Sequence, residues 1–216
     1  MKIFTKAILL ALSIILIDQI LKIWIKTHMY LGQEFNVFGN WFIIHFTENN
    51  GMAFGMEFEG SYGKLFLTLF RVVAISALTW YVYDLSKKNA NKGYILCMGL
   101  ILAGAVGNLI DSLFYGICFG ESYAEIASFF PEGGGYAPFL HGKVVDMLYF
   151  PIMEGHFPQW FPIWGGEEFM FFRPVFNIAD SAISVGVALI LIFQKRYFEE
   201  VKLPEQTAAL EQEKNL

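Results

Sequence analysis

Four long apolar stretches alternate with polar or aromatic connections along the chain, at residues 7–25, 65–83, 94–115 and 174–193. Each is close to the ~20 apolar residues that carry an α-helix across a bilayer. The pattern predicts an α-helical membrane protein with four transmembrane helices in a single membrane domain over 1–200. The remainder, 201–216, reads as a solvated acidic tail. The connections have a different character. NWFIIHF at 40–46 has strand propensity, and the Asn-Gly within TENNGMAFGMEF supplies turn chemistry directly after it. A small sheet on the membrane surface is predicted there, presenting Trp41, Phe42, Phe54 and Phe58 at interfacial depth. The other connection, 116–173, contains PEGGGYAP and HFPQWFPIWGGEEFMFFRP. Its glycines and prolines bar long helices, and its aromatics argue against disorder. A long aromatic loop packed at the interface is expected.

Composition sharpens the membrane reading. The chain of 216 residues is 56% hydrophobic with a mean hydropathy of +0.47, and its 16% charged residues fall below the roughly 25% of a soluble domain. A net charge of −5 gives no reason to expect a nucleic-acid partner. The cations are placed unevenly: Lys2 and Lys6 precede the first helix, Lys87, Lys88 and Lys92 join the second to the third, and Lys195 and Arg196 follow the fourth. The positive-inside rule then puts both termini in the cytoplasm and directs segments 27–64 and 116–173 outward. Residues 1–17 have the basic start and apolar centre of a signal peptide. They lack a small-residue cleavage site, and the run continues through Asp18, Gln19 and Lys22 to Trp24, so a retained first helix is expected. At ~1.5 Å per residue, Cys97 and Cys118 fall near opposite membrane faces and read as unpaired thiols without metal-ligand spacing.

The chemistry lies in the polar residues of the apolar stretches. A carboxylate at membrane depth is expensive and marks a functional site. GAVGNLIDS and FNIADS each contain Asn-x-x-Asp, Asn108 with Asp111 and Asn177 with Asp180, a spacing that sets both members on one helix face. Ala103, Gly104 and Gly107 are small enough to let those faces approach. Asp146, in HGKVVDM, lies between the two pairs in sequence. Three carboxylates near one membrane face suit proton sharing and water activation, as in paired-carboxylate hydrolases. Asp18 and Lys22, four positions apart, read as an intrahelical ion pair, and Arg71 as a cation reaching to the interface. HExxH is absent and no His lies in a helix beside Ser112 or Ser181, which disfavours zinc and serine protease chemistry. A transporter using Asp111 and Asp180 as an ion relay is the main non-enzymatic alternative, weakened by the lack of inverted repeats.

ENNGMAFG, GAVGNLID, VVDM and FNIADS, in that order, resemble the motifs of the bacterial lipoprotein signal peptidases (signal peptidase II), from the first helix to the end of the fourth. The resemblance implies a four-helix inner-membrane aspartyl peptidase with an outward-facing site and a small surface sheet. Such an enzyme removes signal peptides from diacylglyceryl-modified prolipoproteins on the amino side of the lipidated cysteine. By motif, Asp146 and Asp180 would be the catalytic pair. Asn49 and Gly51 match the Asn-x-Gly element, Asn108, Asp111 and Asn177 the polar support, and Asp18 and Lys22 the helix-one pair. A monomer surrounded by membrane lipid and needing no metal or cofactor is expected. Two departures stand out. Ser112 replaces the arginine that usually follows the GNLID motif, leaving Lys143 or Arg173 as candidates to supply its charge. The stretch between Asp111 and Asp146 is longer than usual, adding an insert over 116–140, and the aromatic stretch 150–172 is also long.

Overall fold

The computed structural model describes residues 2–51, 61–151, 153–171 and 174–198. Phe54, Phe58, Arg173 and the tail 201–216 lie outside the described residues. Among the described residues, three helices are long and apolar enough to cross a membrane: α1 (Lys2–His28), α2 (Ser61–Lys87, apolar over Tyr62–Lys87), and α3 (Lys92–Ile110) with its continuation. The third continues through a π-helical turn (Asp111–Tyr115) into the single turn α4 (Gly116–Cys118). A shorter apolar helix, α5 (Ile178–Ile192), is followed by α6 (Gln194–Phe198).

The fourth helix begins later than its apolar run suggested, for a local reason. The Asn177 side chain accepts from the Asp180 backbone N–H at 2.9 Å, and the Asp180 carboxylate accepts from the Asn177 N–H at 3.3 Å. This reciprocal capping box fixes the helix start at residue 178. The third helix also departs from a regular α-helix, because its last turns widen into the π turn at Asp111. Such turns concentrate at functional sites.

Small residues bring α1 and α5 onto α3. A Cβ on Gly104 would lie 2.1 Å from the Ala179 carbonyl oxygen, and one on Gly186 would lie 2.9 Å from that of Cys97. A Cβ on Gly99 would meet the Ala7 carbonyl oxygen at 3.2 Å. Backbone-close contacts of this kind hold helices together in lipid, where apolar burial supplies little drive. Leu9, Leu12, Leu16 and Ile20 on α1, with Phe66, Phe70 and Val73 on α2, point away from the bundle and remain exposed. Acyl chains are the natural solvent for that surface.

Helix ends separate into two groups. Phe4 meets Tyr83 edge-on at 5.4 Å, and Asn91 caps α3 while donating to the Arg196 carbonyl, gathering the start of α1, the α2–α3 connection and α6 at one end. The opposite end carries an antiparallel sheet in the order β1 (Glu34–Phe38), β2 (Phe42–Asn49), β3 (Val144–Tyr149), β6 (Val175–Phe176). The sheet foreseen around 40–46 therefore also recruits VVDM as β3 and the residues before α5 as β6. Thr47 sits opposite Asp146 and Asn49 opposite Val144. Ile25, Met29, Phe46, Tyr115, Phe119, Val145 and Met147 fill the layer between sheet and helix ends.

The long connection is two structures. Residues 116–142 are laid directly on the π turn: a Cβ on Gly135 would lie 2.0 Å from the Gly116 carbonyl oxygen, and one on Gly142 2.1 Å from that of Asp111. The aromatic stretch folds as a hairpin, β4 (Met153–His156) with β5 (Glu168–Phe171), whose tip stacks Phe157, Phe161 and Trp164. The tightest helix contact gives a direct test. Gly104→Ala should force α3 and α5 apart and lower stability by about 1–3 kcal/mol, read as an earlier thermal unfolding midpoint in detergent. An unchanged midpoint would contradict this packing.

Candidate active site

The site grows from one buried cation. Lys22 has no exposed side-chain surface and spends its three N–H donors on three oxygens: Asp18 Oδ2 at 2.9 Å, Asp111 Oδ2 at 2.8 Å and Asn108 Oδ1 at 2.9 Å. An ammonium has three donors, so nothing is left unsatisfied. The predicted intrahelical pair with Asp18 is present, but the cation also ties α1 to α3. Gln19, which the sequence reading passed over, braces the same cluster through Nε2, donating to Asp111 Oδ1 at 2.9 Å and to Asp18 Oδ2 at 3.2 Å.

Each of these carboxylates also takes one backbone N–H from elsewhere. Asp18 Oδ1 accepts from Ala179 N at 2.9 Å, and Asp111 Oδ2 accepts from Val145 N at 3.2 Å. Ala179 immediately precedes Asp180 and Val145 immediately precedes Asp146. The knot therefore grips the chain one residue before each of the two aspartates predicted to be catalytic.

Those aspartates converge on Asn177. Its Nδ2 donates to Asp146 Oδ1 at 2.7 Å, while its backbone N–H reaches Asp180 Oδ2. The same amide group lies 3.0 Å from Asn108 Oδ1 and 3.2 Å from the Val145 carbonyl. Asn108 Nδ2 donates to Asp180 Oδ1 at 2.8 Å, and Asn49 Nδ2 donates to Asp146 Oδ2. Gly51, at a φ of +87° that favours glycine, turns its N–H back to Asn49 Oδ1. All nine residues singled out from the sequence thus form one connected network. Asn177 and Asp180 do so as a helix cap, not as two members of one helix face.

Burial, and then the charge of Asp180, push the Asp146 carboxyl up to about 8, against smaller downward pulls from Lys22, Asn177 and Asn49. A carboxyl that holds its proton near neutrality beside a second carboxyl is suited to acid–base chemistry. Among the described residues, no group of three or more His, Cys, Asp or Glu side chains is arranged to hold a metal ion.

The cations near Ser112 differ from expectation. Lys143 approaches Glu48 at 3.7 Å and lies over Tyr136, engaging the insert, and Arg173 lies outside the described residues. Arg71 does not reach to the interface: it turns inward and donates to Ser112 Oγ at 3.2 Å and to the Gly51 carbonyl. Lys64 donates to the Asn50 carbonyl at 2.9 Å. Lys26 also escaped the sequence reading. It is fully buried, paired with Glu48 at 2.5 Å, bonded to Ser122 Oγ at 2.7 Å and 4.8 Å from the Tyr136 ring, pinning the insert to α1 and β2.

Fold and site together define a helical membrane protein with a buried carboxylate–amide centre where its helices meet a small sheet. Residues 10–195 match the family model described as signal peptidase (SPase) II. The chain is 52% identical to the lipoprotein signal peptidase of Porphyromonas gingivalis over 188 residues, which are 87% of this chain and 81% of that one. It is 38% identical to the lipoprotein signal peptidase of Amoebophilus asiaticus over 195 residues, covering 88% of this chain and 78% of the relative. Two solved bacterial membrane enzymes, determined in meso at 1.9 and 2.3 Å resolution, share the fold with TM-scores of 0.57 and 0.60. They are 27% and 25% identical to it, with 87% and 92% of this chain and 91% and 94% of theirs covered. The chain belongs to the signal peptidase II family and is a membrane protease of lipoprotein processing.

Lys22→Met should leave Asp18 and Asp111 buried without their cation, a loss of about 3–5 kcal/mol. Adding Asp111→Asn to that variant should recover part of the thermal stability, because the two sites share one interaction. Losses that simply add would show that the knot is not a coupled unit.

Proposed function

We propose that the protein removes signal peptides from diacylglyceryl-modified prolipoproteins, cutting on the amino side of the lipidated cysteine by activating water between Asp146 and Asp180. The observation that carries this reading is the shared scaffold of the two carboxyls, both held by Asn177 at the sheet end of the bundle, with Asp146 buried and Asp180 half-buried. Asp146 holds the proton and donates toward the scissile amide, and Asp180 takes a proton from the attacking water. No covalent intermediate, metal or cofactor enters this scheme. The exposed apolar faces of α1 and α2 leave bilayer beside the site for the diacylglyceryl chains, so lipid anchoring delivers the peptide bond to the pair at high effective concentration.

Orientation follows from charge. Lys2, Lys6, Lys87, Lys88, Lys92, Lys195 and Arg196 belong to the end of the bundle opposite the sheet. The positive-inside rule places that end in the cytoplasm. On this reading α5 with α6 is the fourth crossing, the protein is a multi-pass monomer of the bacterial inner membrane, and its site faces outward.

Purified wild type should cleave a diacylglyceryl-modified prolipoprotein before the lipidated cysteine, while Asp146→Asn and Asp180→Asn should each lose at least about 1,000-fold in kcat. Turnover persisting in Asp180→Asn would end the paired-aspartate mechanism. Activity should also decline as pH rises through about 8, where Asp146 loses its proton. The same raised value makes a stability prediction with a definite sign. From pH about 4 to about 8 the folded state holds a proton that the unfolded chain releases, so Asp146 contributes stability at low pH that is lost across that window. Asp146→Asn should therefore melt above wild type by a few degrees near pH 8, with the difference closing toward pH 4. A difference constant with pH would place the proton elsewhere.

A further inference from the structure

Helix α2 is the element least explained by the site. It carries no motif residue, yet Lys64, Thr68 and Arg71 recur at helical spacing and form one polar stripe. All three reach backbone carbonyl oxygens outside the helix. Lys64 Nζ donates to the Asn50 carbonyl at 2.9 Å, Thr68 Oγ1 to the Leu140 carbonyl at 2.9 Å, and Arg71 Nη2 to the Gly51 carbonyl. Residues 50 and 51 directly follow β2, which presents Asn49 to Asp146, and residue 140 leads into β3, which carries Asp146 itself. The stripe therefore holds the chain on both sides of the strand pair that aims one catalytic carboxyl.

Arg71 is the member with the most specific fit. A Cβ on Gly51 would lie 2.5 Å from its Nη1, so any side chain there would displace the guanidinium. Its other edge donates to Ser112 Oγ at 3.2 Å, and Ser112 donates in turn to the Asn108 carbonyl at 3.1 Å. Lys64 Nζ also stands 3.5 Å from Ser112 Oγ. Among the described residues, neither Lys64 nor Arg71 forms an ion pair. A guanidinium delivered from α2 thus lies against Ser112, the residue that follows the GNLID motif.

We propose that Arg71 is a positioning residue for the reaction: from α2 it supplies the cation that Ser112 cannot, clamping the Asn49–Gly51 turn so that Asn49 holds Asp146 in its reactive orientation. Arg71 acts through Gly51 and Asn49 and touches neither Asp146 nor Asp180. A planar fork serves two acceptors at once, the Gly51 carbonyl on one side and Ser112 on the other, which a lysine ammonium cannot reproduce in the same geometry. Lys64 and Thr68 extend the clamp to Asn50 and Leu140. The inference rests on the peptidase reading above.

The test is an exchange of side chains, assayed with a diacylglyceryl-modified prolipoprotein alongside thermal unfolding. Arg71→Ser should lower kcat by about 100-fold while leaving KM within about threefold, because misaiming a catalytic group costs turnover more than binding. Adding Ser112→Arg to that variant should restore at least a tenth of wild-type kcat, since the guanidinium returns to the same space from the other side. Should Arg71→Ser fail to fold, Arg71→Lys decides: reduced kcat with unchanged KM supports the clamp, and full activity overturns it. An Arg71→Ser enzyme as active as wild type, or one whose loss tracks its unfolding and is not rescued by Ser112→Arg, would also overturn it. The parent reading fails separately. Wild type unable to cleave the lipidated substrate sinks both, whereas an active wild type, an inert Asp146→Asn and an unimpaired Arg71→Ser sink this inference alone.

Discussion

The structure depends on the Lys22 ammonium, buried inside a membrane helix and shared among Asp18, Asp111 and Asn108. One charge stabilises two carboxylates, and each of those accepts a backbone N–H from the residue just before Asp180 or Asp146. Desolvating three charged groups costs several kcal/mol each before compensation, so the cluster persists only because its donors and acceptors are matched. No buried side-chain N or O among the described residues lacks a partner. The return on that cost is positional: two carboxyls from distant parts of the chain are held at fixed places by backbone as well as side-chain contacts.

Around that knot the elements divide the work. Helices α1 and α3 form it, α5 brings Asp180 in its first turn, and β3 brings Asp146 on a sheet strand. A carboxyl on a strand facing one in a helix cap gives the pair unequal surroundings. Unequal surroundings add to the like-charge repulsion that already separates the two titrations, and favour one carboxyl as the proton holder. Asn177 joins the halves, because its side chain serves Asp146 and its backbone serves Asp180. The insert is anchored to the same frame through Lys26, Glu48 and Ser122, with Glu48 directly preceding Asn49. Its addition therefore extends the scaffold next to the site without breaking the chain of contacts to Asp146.

Much of this was legible in the sequence, and the parts that were not share a cause. Carboxylates and amides inside apolar runs are costly enough to announce themselves, which is why Asn108, Asp111, Asn177 and Asp180 could be named from position, whereas Asp18 and Lys22 read from position only as an intrahelical ion pair. The strand character of 40–46 was readable from β-branched and aromatic residues. That VVDM would join the same sheet was not, because strand pairing across a long connection leaves no local periodic trace. The Asn177–Asp180 spacing fits both a helix face and a capping box, and only the preceding strand β6 decides for the cap. Lys64 and Lys26 were passed over because each lies in the end turn of its helix, where a long polar side chain has an inexpensive alternative in reaching water. Gln19 and Arg71 lie further inside their helices, and the partners that draw them inward, Asp111, Ser112 and Gly51, come from segments distant in sequence. The stripe Lys64, Thr68, Arg71 was nevertheless present as a helical spacing in an otherwise apolar segment.

The shared-proton mechanism requires Asp146, buried beside Asp180, to keep its proton at neutral pH while the pair remains intact. Infrared difference spectroscopy of wild type against Asp146→Asn, recorded across a pH series, measures this directly through the carbonyl stretch of a protonated carboxyl. A protonated Asp146 band should persist through pH 6 and 7 and disappear as pH rises past about 8. An Asp146 ionised throughout that range would contradict it.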